Sequence, residues 1–76
     1  MKTVMIQILS TADVKQLVKI AGEYPFDIDL LSDRYVIDAK SIMGIFSLDL
    51  HKPIKMEIHS DDCEELILKL DKYIVK

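Results

Sequence analysis

Tryptophan is absent, cysteine occurs once, and glycine and proline occur twice each in these 76 residues. A lone Cys63 excludes an internal disulfide and suits a reducing compartment. With so little glycine and proline and no low-complexity run, the chain has no composition for a flexible linker. Long apolar runs are missing too: the longest are a few residues, against about 20 needed to cross a bilayer, and the N-terminus shows no apolar h-region or cleavage site. The expectation is a cytoplasmic protein without membrane insertion. Excess positive charge is the next absence, since ten basic residues face thirteen acidic ones for a net charge of −3. Such a balance creates no field that would attract phosphate backbones, so no nucleic-acid partner is expected. No glycine-rich phosphate loop and no nucleophile paired with a base appears, which argues against an enzyme and against any cofactor.

What is present is an apolar half: 50% of positions are hydrophobic and 30% charged. That is enough for one compact core in a single domain over residues 1–76, although a domain so small hides only about 60% of its unfolded surface.

Val4, Ile6 and Ile8 alternate with Met5, Gln7 and Leu9, the period of a strand with one strongly apolar face. Ser10-Thr11-Ala12-Asp13 has the form of a capping box, in which the serine hydroxyl accepts from the amide three residues on. Val14, Leu17, Val18 and Ala21 then recur at helical spacing until Gly22 and Pro25 end the run. Phe26, Ile28 and Leu30 alternate with Asp27 and Asp29; a turn at Ser32-Asp33 follows, and Tyr35, Ile37 and Ala39 alternate with Val36 and Asp38. This predicts a β-hairpin. Ser41 to Phe46 is apolar but holds Gly44, and Lys52-Pro53 closes it, so it suits a short helix. Ile54, Met56 and Ile58 form a fourth strand whose other face, Lys55 and Glu57, meets water. Ser60 or Asp61 is expected to cap a last helix with Leu66, Ile67, Leu70, Tyr73 and Ile74 as its buried stripe. Acidic residues 61, 62, 64 and 65 suit its positive end, and Lys72 and Lys76 lie near the other. The order β-α-β-β-α-β-α predicts an α+β protein with three helices covering one face of a mainly antiparallel four-stranded sheet.

The stretch Lys40-Ser41-Ile42-Met43-Gly44-Ile45-Phe46-Ser47-Leu48 closely resembles the KSIMG-x-x-SL segment of HPr, the histidine-containing phosphocarrier of the bacterial sugar phosphotransferase system. The element order is similar to that family over the whole chain, and Asp27-Ile28-Asp29-Leu30 stands at the family's distance before KSIMG. The resemblance implies an open-faced β-sandwich with strand order 1-4-2-3. It also implies a phosphoacceptor histidine at the start of the first helix, where helix N–H groups and a nearby arginine hold the phosphoryl oxygens. Counted back without gaps from Asp27, Ser10 takes the histidine position, Ala12 the arginine position and Asp13 the proline position. A serine ester holds phosphate far more tightly than phosphohistidine, so Ser10 is no replacement in rapid transfer. Asp13 in the first helical turn would also repel a phosphoryl group. No catalytic residue is therefore assigned, and the chain is expected to be a divergent family member, similar in this respect to the catabolite-repression relative Crh.

The family resemblance turns attention to Ser41, the serine that a dedicated kinase phosphorylates in many Gram-positive HPr proteins. On residue chemistry alone, Ser41 is equally an N-cap for the short helix. Ile42, Met43 and Phe46 flank it as a candidate partner-binding patch, with Lys15 and Lys19 adding positive charge from the first helix. Their bland alternatives are core packing and an ordinary solvated helix face. The implied partners are phosphotransferase-system components, an HPr kinase or a transcriptional regulator. His51 and His59 fall beside the fourth strand as exposed polar residues; neither they nor Cys63 form a known metal motif, and no metal is expected. The reading is a non-catalytic regulatory or docking module. An atypical phosphocarrier with another acceptor, or a decayed structural paralogue, are the alternatives.

Overall fold

The computed structural model describes residues 1–32 and 34–75. Its elements are β1 (Lys2–Ile6), α1 (Thr11–Gly22), β2 (Ile28–Ser32), β3 (Tyr35–Asp38), α2 (Ile42–Phe46), β4 (Ile54–Ile58) and α3 (Glu64–Leu70), followed by a 3-10 turn over Asp71–Tyr73. The four strands form an antiparallel sheet in the order β1-β4-β2-β3, as the family resemblance implies.

Strand alternation explains the two layers. Ile6, Ile28, Leu30, Ile54, Met56 and Ile58 point to one face and are fully buried, where they meet Val14, Leu17 and Ala21 of α1, Ile45 of α2, and Leu66 and Leu70 of α3. The opposite face is bare. In-register pairing sets Thr3, Glu57, Asp29 and Asp38 in one row across the four strands, and Met5, Lys55, Leu31 and Val36 in the next. This is the open-faced α+β sandwich expected from the sequence.

Helix α1 begins at Ser10, whose extended backbone and hydroxyl make it the N-cap. It ends through bonds from the Glu23 amide to Ile20 and the Tyr24 amide to Ala21, a tightened last turn, with Gly22 in ordinary helical conformation. Gly44 has a different reason to be glycine. A Cβ there would sit 2.7 Å from Cγ2 of Ile37 and 3.2 Å from Oγ of Ser41, so its bare backbone lets α2 lie against β3.

The last helix differs from expectation. Ser60 and Asp61 do not cap it: the Ser60 hydroxyl accepts from the Asp62 amide, and the Asp61 carboxylate binds the N-terminal amine at 2.7 Å. Cys63 holds the cap position with no side-chain bond, and the helix starts only at Glu64. Ile74 also leaves the expected helical stripe. The chain turns extended there and bridges to Ile6, with Gln7 and Met5 exchanging backbone bonds with Tyr73 and Val75. Burial of Ile74 is thereby reached along the edge of β1. Phe26 likewise packs on the core from just outside β2. Asp33, placed at the hairpin turn, and Lys76, placed near the last helix's end, lie outside the described residues.

Candidate functional site

Two helix starts lie in the helical layer, where α1 packs on α2. At the first, the Asp13 amide donates to Oγ of Ser10 at 3.2 Å, while the Asp13 carboxylate accepts from the Leu9 amide at 3.0 Å. The reciprocal bond goes to the residue before the cap, a variant of the capping box. Its consequence is electrostatic: a carboxylate already occupies the positive end of α1. Ser10 and Ala12 are exposed, and no basic side chain stands at the position where the family resemblance implies an arginine.

At the second helix start Ser41 is the N-cap, with Oγ accepting from the Gly44 amide at 3.4 Å. Ser41 itself is exposed. Around it Met43 is 78% and Phe46 40% exposed, Ile42 is half-buried, and Ile45 and Leu48 belong to the core. Thus one side of this five-residue helix anchors it and the other presents a methionine and a phenylalanine to solvent. Lys15 and Lys19 are exposed on α1, one helical turn apart.

Lys40 gives the Ser41 segment its position. Its ammonium donates to the carbonyls of Tyr24 at 2.8 Å and Phe26 at 3.0 Å, and its amide donates to the Asp38 carboxylate. The lysine of the KSIMG stretch therefore ties the start of α2 to the loop after α1. Sequence reasoning misses this role, because a lysine between Ala39 and Ser41 is indistinguishable from a surface charge until its distant partners are known. A second tie joins α1 to α3, where Lys69 meets Glu23 at 2.8 Å. The hydrogen bond and charge of Lys69 hold the Glu23 carboxyl below its ordinary range, and the same bond raises the Lys69 ammonium.

His51 is exposed in the turn before β4, its amide donating to Asp49. His59 is exposed at the end of β4, with Nε2 2.9 Å from Oδ2 of Asp29. The structure does not bring His51, His59 and Cys63 together as a ligand group among the described residues; Cys63 is buried. It brings His59 to Asp29 and Glu57 instead.

A family model described as "PTS HPr component phosphorylation site" matches residues 9–75. Among solved structures, an HPr from Thermoanaerobacter tengcongensis shares 33% identity over 95% of this chain and 89% of its own, with a TM-score of 0.78. A phosphocarrier protein HPr from Bacillus anthracis shares 29% identity over 97% of this chain and 94% of its own, with a TM-score of 0.75. A Mycoplasma histidine-containing phosphocarrier protein, at 15% identity over 93% of this chain and 86% of its own and a TM-score of 0.69, shares the fold. A search of curated proteins finds no match. No described helix is long and apolar enough to cross a membrane. On the family match and the shared identity along nearly its whole length, the chain belongs to the HPr family of the phosphotransferase system.

Proposed function

We propose that this HPr-family chain is a regulatory or docking module that acts on protein partners without carrying a phosphoryl group on α1, and that Ser41 is its regulated position. The observation that carries this reading is the Asp13 carboxylate bonded to the Leu9 amide across Ser10. The helix end that would hold phosphoryl oxygens is taken up by the chain's own anion, and a serine stands where transfer needs an imidazole.

The surface around Ser41 supports docking. Met43 and Phe46 offer apolar area beside the hydroxyl, and Lys15 and Lys19 suit acidic groups on a partner. Phosphorylation of Ser41 would add close to two negative charges at the rim of that patch, changing which partner surface it fits. Partners of this chemistry are phosphotransferase components, an HPr kinase or a transcriptional regulator, met in the cytoplasm by one domain.

Incubation with an HPr kinase and ATP, followed by peptide mapping, tests the modification. Ser41→Asp and Ser41→Ala variants, compared for binding to each candidate partner, then test its consequence. Phosphate on Ser41 together with a partner that separates the two variants supports the reading; no phosphate and no difference sinks it.

A further inference from the structure

The bare face of the sheet gathers ligands that neither phosphotransfer nor docking at Ser41 uses. Asp29 of β2 and Glu57 of β4 are direct cross-strand partners, and both side chains leave the sheet on the face away from the helices. Like charges set opposite each other are unfavourable, and Asp38 extends the same row on β3. The Asp38 carboxylate is engaged by the Lys40 amide, but among the described residues neither Asp29 nor Glu57 has a lysine or arginine partner. What reaches them is an imidazole. His59 follows β4 on the Glu57 side of the strand, Nε2 lies 2.9 Å from Oδ2 of Asp29, and one ligand atom from each of the three residues lies within 4.8 Å of the others.

We propose that Asp29, Glu57 and His59 form a binding site for a divalent transition metal of the zinc class. Two carboxylate oxygens and one imidazole nitrogen are a donor set that zinc accepts, and three protein ligands with water in the remaining place is a familiar open coordination. The geometry is close to ready. Ligand atoms about 2.0 Å from a tetrahedral zinc stand roughly 3.3 Å apart, so the His59–Asp29 pair has to open by only a few tenths of an ångström. Glu57 offers its carboxylate oxygen within the same 4.8 Å span.

The cation also removes the repulsion between the two carboxylates. Asp29 and Glu57 would repel a phosphoryl group by the same electrostatics, so this histidine is suited to a cation and unsuited to phosphate. The site lies on the face opposite α2 and does not depend on the reading of Ser41.

The test is a titration of the full chain with Zn²⁺, followed by calorimetry and by the His59 ring and Asp29 and Glu57 carboxyl resonances. One ion per chain is expected, with those three residues shifting first. His59→Gln and Glu57→Gln should each weaken binding about tenfold or more, while His51→Gln leaves it unchanged; circular dichroism checks that each variant is folded. Magnesium in excess should fail to compete, because an octahedral oxygen-loving ion gains little from the imidazole. No saturable binding, binding lost in His51→Gln, unchanged binding in His59→Gln, or equal competition by magnesium would each overturn the proposal.

Discussion

The amide of Asp13 donates to the hydroxyl of Ser10 while the carboxylate of Asp13 holds the amide just ahead of it, at Leu9. This pair closes the start of α1 from both sides. It should be stabilising: Ser10→Ala is expected to cost about 1 kcal/mol of folding stability, and Asp13→Ala a similar amount, both read from denaturant midpoints at unchanged slope.

The same pair makes histidine alone insufficient. Ser10→His is expected to give no phosphoryl acceptance from enzyme I and phosphoenolpyruvate, because the Asp13 carboxylate stays at the helix end. The triple variant Ser10→His, Ala12→Arg, Asp13→Pro removes the anion and supplies the basic side chain, and proline is tolerated in a first helical turn. Measurable acid-labile phosphate is expected only in the triple variant. Equal phosphorylation of the single variant would show that Asp13 is no obstacle.

A Cβ at Gly44 would meet Cγ2 of Ile37 first, at 2.7 Å. Gly44→Ala is expected to destabilise by about 1–3 kcal/mol, since the γ2 methyl of a β-branched side chain has little freedom to retreat. The Ser41 hydroxyl is the next atom met, so amide exchange at the start of α2 should quicken in this variant.

Lys40→Met keeps the aliphatic stem and deletes the two charge-assisted bonds to the Tyr24 and Phe26 carbonyls. A loss of about 2 kcal/mol is expected, visible as a lower Tm. Lys40→Arg, with a rigid planar fork in place of a compact ammonium, should rescue only part of it.

Carboxyl titration by NMR should show Glu23 and Asp61 below the ordinary range, Glu23 through its bond to Lys69 and Asp61 through its bond to the N-terminal amine. A depressed folded-state pKa means stabilisation that is present above the unfolded value and is lost as pH falls through the folded one. Both groups are exposed, so the effect on stability is small and should shrink further in high salt. Lys69→Met is expected to return Glu23 toward its ordinary value.

Much of this architecture is legible in the chain because side-chain period and burial coincide. Ile54, Met56 and Ile58 alternate in sequence and are buried in fact; Val14, Leu17 and Ala21 recur at helical spacing and face the core. Both N-caps, Ser10 and Ser41, are local arrangements read from residues three apart. The elements that departed from expectation depend on distant partners. Asp61 is taken by the N-terminal amine, which leaves Cys63 at the start of α3, and Ile74 is drawn into extended pairing by Ile6. The same holds for the candidate sites. Met43 and Phe46 stand beside Ser41 in the chain itself, whereas the Lys40 tether and the meeting of His59 with Asp29 join residues 14 to 30 apart, the first through the loop after α1 and the second through the pairing of β2 with β4.

Whether α1 carries phosphate is read most directly by intact-mass and ³¹P analysis of the native chain after incubation with enzyme I and phosphoenolpyruvate, under conditions that preserve acid-labile phosphate. An unmodified chain is expected, with Asp13 in the first turn of α1. A phosphoryl group on His51, His59 or Ser10 would contradict it.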